Sequence, residues 1–342
     1  MAEFRVTVPT AGNPVTCRDD QTILDAFLRN GVWLPNSCNQ GTCGTCKLRV
    51  VAGHVDHAGS PEYTLTAEER AQGLALGCQS RPRSDLVVEP LADTTDAVAR
   101  FPLRDVTATV VSLDPIARDT RRLVLEVDGA LDFLPGQYAQ LHVPGTECWR
   151  PYSMANSPAR PHRLEFHIRY SDGGVATGWI FHGLTVGDRV ELRGPLGDFV
   201  LDDADHPLLL LAGGTGLAPL SAMLRAALER GHRSPIHLYH GVREEADLYD
   251  VEWLSELSRS HPDFHYTPCL SRGEWNGRTG YVGDAVLADF DNLRDYSGYL
   301  CGPPAMVEAA GRALKRRRMA PRRIFREKFT DAVTVGQELA SA

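Results

Sequence analysis

The sequence predicts a multidomain chain that joins an α+β part to an α/β part. Three observations lead there. The chain has 342 residues, 43% of them hydrophobic, which is more than a single core usually organises. Four of its eight cysteines, Cys38, Cys43, Cys46 and Cys78, gather near the start. Beyond them, short alternating runs over residues 103–203 give way to apolar strands alternating with helical patterns over residues 204–330.

In residues 1–95, the run at 4–8 alternates apolar and polar side chains, as a half-buried strand does. Residues 23–27 open a short amphipathic helix, with Asp20 or Thr22 as N-cap and Gly31 beyond its end. A Gly- and Cys-rich loop follows, then strands at 47–51 and 86–89. Residues 91–102 (LADTTDAVARFP) are small, polar and closed by proline, and a linker is placed at 96–102.

Residues 103–203 carry alternating runs at 106–111, 122–127, 137–142, 164–169 and 189–192. Pro135-Gly136, Pro144-Gly145, Asp172-Gly173 and Gly187-Asp188 punctuate them. That spacing predicts a small antiparallel barrel. In residues 204–330, the continuous apolar run 208–211 reads as a strand buried on both faces. A glycine-rich turn and a helix over 219–230 follow it. Strands at 236–240, 265–270 and 298–301 then alternate with helices near 251–258, 283–288 and 306–317, which predicts a parallel sheet covered on both faces. The tail, 331–342, has little to bury.

A net charge of −8 gives no general affinity for nucleic acid or an anionic membrane. No apolar run reaches the roughly 18–20 residues of a membrane span. The opening MAEFRVTVPT has neither the basic nor the apolar region of a signal peptide. The expected compartment is therefore the cytoplasm, where clustered cysteines serve metals more often than disulfides.

Cys38-x4-Cys43-x2-Cys46, followed at a distance by Cys78, has the spacing of a [2Fe–2S] site. Four thiolates must reach two irons, so three come from one tight loop and one from afar. Gly41 and Gly44 permit positive φ and leave backbone N–H groups free near the sulfurs. Zinc sites favour paired Cys units across a longer gap, which fits this asymmetric spacing less well. Residues 33–49, WLPNSCNQGTCGTCKLR, resemble the cluster loop of plant-type ferredoxins. The resemblance implies a β-grasp-like domain and Cys38, Cys43, Cys46 and Cys78 as the metal ligands.

Arg150-Pro151-Tyr152-Ser153 falls just after a predicted barrel strand. Arginine suits a phosphate, tyrosine offers a flat apolar face, and serine can hydrogen-bond a ring nitrogen. A companion run, His167-Ile168-Arg169-Tyr170, precedes Gly173-Gly174-Val175-Ala176-Thr177, which opens a helix suited to a pyrophosphate. The pair resembles the flavin motifs of the ferredoxin–NADP reductase superfamily. That resemblance puts Arg150 on the flavin phosphates, Tyr152 on the ring, Ser153 at N5, and Gly174 and Thr177 on the pyrophosphate. It also implies FAD rather than FMN, because relatives with this domain order use it.

Residues 208–219, LLLLAGGTGLAP, are a buried strand, the turn Gly213-Gly214-Thr215-Gly216 and a helix begun near Pro219. Such a turn lets backbone approach a pyrophosphate. It departs from the G-x-G-x-x-G fingerprint and resembles the G-G-x-G-x-x-P turn of the same superfamily. Cys301-Gly302-Pro303-Pro304 resembles its C-G-P-P element, placing Cys301 beside the nicotinamide. Nothing marks Cys301 as a lowered-pKa nucleophile. Arg326-Glu327-Lys328-Phe329 resembles the terminal strand, which brings Glu327 and Phe329 towards the flavin. Ser153, Cys301 and Glu327 are thus the expected residues of the hydride site. The acids of residues 241–248 (GVREEADL) suit ribose hydroxyls and NADH. Ser271, Arg272 and Tyr281 fall where NADPH-using relatives bind the extra phosphate, so NADPH stays open.

From about residue 3 to 329 the chain resembles reductase components of bacterial multicomponent oxygenases, of the phenol hydroxylase and benzoate dioxygenase kinds. RPYSMANSP, DGGVATGWI, VGDRVELRGPLGDF and YLCGPPAMVEAA carry the likeness. It implies electron flow from NADH through FAD and the cluster to an oxygenase component. Electron counting agrees, since a hydride carries two electrons and a [2Fe–2S] cluster accepts one. A reductase for a deoxysugar-forming dehydratase and a redox sensor without turnover are the alternatives. The basic run Lys315–Arg318 with Arg322 and Arg323 reads first as a solvated helix face and second as a docking site for an acidic oxygenase.

Overall fold

A computed structural model describes residues 1–9, 12–91 and 101–330. Most of the expected linker and the whole expected tail, 331–342, lie outside the described residues. The first part contains β1 (Glu3–Thr7), β2 (Val15–Arg18), α1 (Ile23–Arg29), β3 (Lys47–Ala52), β4 (Val55–Asp56), α2 (Ala67–Ala71), β5 (Leu74–Leu76), β6 (Arg81–Pro82) and β7 (Leu86–Pro90). Its main sheet runs β2-β1-β7-β3-β5, with β1 and β7 parallel and the rest antiparallel. Thr22 is the N-cap of α1, its hydroxyl accepting from the Asp25 N–H. The helix buries Ile23, Leu24, Phe27 and Leu28. Leu103, Tyr138 and Leu196, from beyond residue 95, complete that core.

The second part contains β8 (Arg104–Ala117), β9 (Thr120–Val127), β10 (Tyr138–His142), β11 (Trp149–Ser153), β12 (Arg163–Arg169), α3 (Val175–His182) and β13 (Arg189–Leu196). The six strands pair antiparallel in the order β11-β10-β13-β8-β9-β12. A bridge from Met154 to Phe166 joins the two edges. Leu123, Leu125, Leu141, Phe166 and Leu192 fill the interior. Arg150 to Ser153 follow strand β10 as expected and themselves form the next strand, because Pro151 is tolerated on β11 as an edge strand of the sheet.

The third part contains β14 (Leu208–Gly213), α4 (Leu217–Glu229), β15 (Ile236–Val242), α5 (Val251–Ser260), β16 (Phe264–Leu270), β17 (Arg278–Thr279), α6 (Val282–Asp289), β18 (Ser297–Gly302), α7 (Pro304–Arg316) and β19 (Ile324–Lys328). All six strands are parallel, in the order β17-β16-β15-β14-β18-β19. Alternation along β14 builds two cores. Leu208 and Leu210 pack with Leu220 and Leu224 of α4, while Leu209 and Leu211 pack with Val286 of α6 and Leu314 of α7. The chain leaves β14 towards β15 and later returns to its other side at β18. The strand ends there form a topological switch point, the usual ligand crevice of an open parallel sheet. Among the described residues no helix is long and apolar enough to cross a membrane.

Candidate functional site

One cavity of about 2120 Å³ runs through all three parts. Ser37, Cys38 and Cys43 line it at one end. Arg150, Tyr152, Ser153, His167, Ile168, Arg169, Gly173, Gly174 and Thr177 line its middle, and Gly213, Gly214, Thr215 and Pro303 follow, with Glu327 and Phe329. Cys46, Cys78, Gly216, Cys301 and Gly302 are buried and do not line it.

The four cysteines form two pairs. Cys46 and Cys78 bring their sulfurs within 3.2 Å, and Cys38 and Cys43 share a hydrogen bond. That bond pushes the Cys38 thiol down and the Cys43 thiol up, as expected when one proton is shared between two sulfurs. Two thiols side by side, twice over, fit a pair of irons. The Gln40 N–H lies 3.4 Å from the Cys38 sulfur, and Gly41 and Gly44 adopt φ of 81° and 75°. A side chain at Gly41 would press on Gln79 and Pro61, 3.0 and 3.1 Å away. The loop is thus bent as a cluster needs.

The middle of the cavity suits a flavin. Helix α3 begins at Gly174 without a side-chain cap, and its first residues line the cavity, presenting unpaired N–H groups to a phosphate. The Thr177 hydroxyl donates to the Ser171 carbonyl (3.0 Å) and holds the turn that brings the helix start to the cavity. His167 Nε2 lies 2.9 Å from Glu165, while its buried Nδ1 has no partner among the described residues. Arg150 donates to the Trp149 carbonyl from one nitrogen and keeps the rest of its fork at the cavity.

At the switch point, Gly213 to Gly216 connect β14 to α4, which begins at Leu217 rather than near Pro219. Gly216 is a packing glycine, since a Cβ there would strike the Cys301 carbonyl oxygen. Gly302 adopts a φ of 145°, and a Cβ there would meet the Gly213 backbone 2.9 Å away. At the wall, Ser153 hydrogen-bonds Glu327, whose carboxylate lies 4.0 Å from the buried Cys301 sulfur. Burial pushes Glu327 up to about 8, although the Ser153 hydrogen bond opposes it. Burial, then the Glu327 charge, raises the Cys301 thiol far above its ordinary value, so Cys301 is no thiolate nucleophile.

Several ion pairs around the site have no local signature in the sequence, because their partners lie far along the chain. Arg122 pairs with Asp250 and sits 3.3 Å from Glu165, tying the barrel to the third part. Of the acids expected on ribose, Glu244 and Asp247 each lie 2.7 Å from Arg118, and Asp247 also lines the cavity. Ser271 and Tyr281 line the cavity, whereas Arg272 does not.

Comparison with known proteins agrees with this layout. Residues 6–83 match the 2Fe-2S iron-sulfur cluster binding domain, 107–201 the oxidoreductase FAD-binding domain and 210–312 the oxidoreductase NAD-binding domain. The reductase subunit of an aromatic O-demethylase from Amycolatopsis sp. (strain ATCC 39116 / 75iv2) is 54% identical over 95% of this chain and 98% of its own. The reductase component of phenol 2-monooxygenase from Pseudomonas sp. (strain CF600) is 40% identical over 99% and 98%. A crystal structure of an Amycolatopsis cytochrome P450 reductase superposes with a TM-score of 0.91 at 54% identity, covering 96% of this chain and 99% of that one. A ferredoxin reductase in carbazole 1,9a-dioxygenase gives a TM-score of 0.83 at 27% identity, with 96% and 99% covered. Three cofactor modules on one cleft, in this order and over nearly the whole length of these relatives, place the chain in the family of iron–sulfur flavoprotein reductases, the electron-transfer components of multicomponent oxygenases.

Proposed function

We propose that this chain carries electrons from NADH to the oxygenase of an aromatic-substrate system, with a cytochrome P450 of the O-demethylase kind as the favoured partner. The observation that carries the reading is the single cavity that touches the cysteine loop, the β11 motif and the β14 turn. The 54% identity to an aromatic O-demethylase reductase supports that choice of partner over a phenol hydroxylase.

Bound in this cleft, the flavin supplies the conversion between hydride pairs and single electrons, and the cluster supplies a one-electron carrier. In this reading Cys38 and Cys43 hold one iron and Cys46 and Cys78 the other. Arg150 and the α3 N-terminus neutralise phosphate charge, and Tyr152 presents its ring to the flavin. The backbone of Gly213 to Thr215 receives the dinucleotide. Ser153 and Glu327 hold a hydrogen-bonded proton at the cavity wall, while Cys301 and Gly302 back it and exclude water. In this reading the domains are 1–95, 103–203 and 204–330, with 96–102 as linker and 331–342 as tail. The cytoplasm is the proposed compartment, since clustered cysteines serve metals more often than disulfides there.

Purified protein should contain about two irons, about two acid-labile sulfides and about one flavin per chain. It should reduce a P450 of the O-demethylase kind faster with NADH than with NADPH. Zinc in place of iron, or no flavin, would overturn the reading. Faster reduction of a phenol hydroxylase would overturn the partner.

A further inference from the structure

Resting on that reading, a second question is what fixes the cysteine loop relative to the flavin part of the cavity. The segment just before Cys38 lies against the barrel. The Asn36 N–H donates to Asp198 (2.8 Å), and the Gly197 N–H donates back to the Asn36 side-chain oxygen (3.0 Å). The Asn36 amide also donates to the Leu34 carbonyl (3.0 Å) and receives Asn39 (3.3 Å). Asn36 is fully buried, so these bonds are made without competing water. One residue on, the Tyr138 hydroxyl donates to the Ser37 carbonyl at 2.5 Å.

Tyr138 occupies a particular place. It opens β10, pairs in register with Ser153 of β11, and lines the cavity beside it. Its ring belongs to the core of the cysteine-bearing part, although its backbone belongs to the barrel. The opposite side of the joint is equally fixed. The Gln137 amide donates to the Gly197 carbonyl (3.2 Å), and Gly136, at a φ of 103°, admits no side chain because a Cβ would meet the Phe199 carbonyl. A line of contacts therefore leads from Ser37 through Tyr138 and Ser153 to Glu327.

We infer that Tyr138 and Asp198 are positioning residues for electron transfer: they clamp the cysteine loop to the barrel and set the spacing between cluster and flavin. The cluster-bearing part is then docked during turnover rather than swinging. Neither residue takes part in the hydride step, which lies on the far side of Ser153.

The test compares Tyr138→Phe and Asp198→Ala with the parent in anaerobic stopped flow, following flavin bleaching and cluster bleaching as separate phases. In both variants the second phase should slow by about tenfold more than the first, as expected when a sub-ångström geometry is lost. Amide exchange in a peptide spanning residues 34–40 should quicken by about fivefold, the worth of one lost hydrogen bond. An unchanged ratio of the two phases, or unchanged exchange in that peptide, would overturn the inference. A parent protein without a cluster phase would instead overturn the proposed function. If Asp198→Ala misfolds, Tyr138→Phe alone decides, since it removes one oxygen and keeps the ring.

Discussion

At the scale of single residues, Glu327 is the most informative group. Its folded value of about 8 stands above the ordinary 4.5 because the carboxyl is buried. Between those values the folded chain keeps a proton that the unfolded chain has released. Stability from this group is therefore full below about 4.5 and is lost as the pH rises through 8. Glu327→Gln should accordingly melt at a temperature that falls less between about pH 4 and about pH 9, the window that contains both values. Parallel melting curves for parent and variant over that range would contradict the assignment. The sequence announced Glu327, Ser153 and Cys301 through resemblance. It gave no sign of the burial that joins them, because Ser153 and Glu327 are brought together only when β11 and β19 meet at one wall.

At the scale of elements, local patterning revealed most strands and helices wherever a face is buried. Helix α1 and the β14 run are examples, each with a continuous apolar surface. Helix α2 was not legible, since none of its five residues is buried and only its Thr66–Glu69 capping box marks it. Strand β11 was hidden by Pro151 and became intelligible once it proved to be an edge. Register and long-range pairing had no local signature at all. Arg122 shows the consequence: on β9 it reads as an ordinary polar position, yet it links Glu165 of β12 to Asp250 at the start of α5. Asp250 adopts a φ of 57°, unusual for a residue with a side chain. The neighbouring Tyr249 hydroxyl lies 3.5 Å from the Gly214 carbonyl in the dinucleotide turn. Arg122→Ala leaves two carboxylates facing each other and should cost about 2–3 kcal/mol, below a fully buried pair because the arginine is partly exposed. The KM for NADH should rise by about fivefold as the turn loosens, a smaller loss than direct misplacement gives. A normal KM would show that the ion pair does not steady the turn.

At the scale of the molecule, the three parts share their cores. Tyr138 and Leu196 complete the first, and Phe199 and Leu201 belong to the third although they follow directly on the barrel. Domain order was legible from motif order, because each cofactor type demands its own residue chemistry. The joints were not, because they depend on hydrogen bonds such as Asn36 to Asp198 that span 162 positions. The acidic stretch at 241–248 illustrates the limit. Its charges suited ribose when read alone, and the fold binds two of them to Arg118 across a joint.

The central claim is that two redox centres share one chain and draw on one donor. Anaerobic titration with NADH, followed in the visible range, tests it most directly. Flavin and cluster absorption should both bleach, with completion near about one and a half NADH per chain, because the flavin takes two electrons and the cluster one. Bleaching that stops at about one NADH with cluster absorption intact would contradict the account.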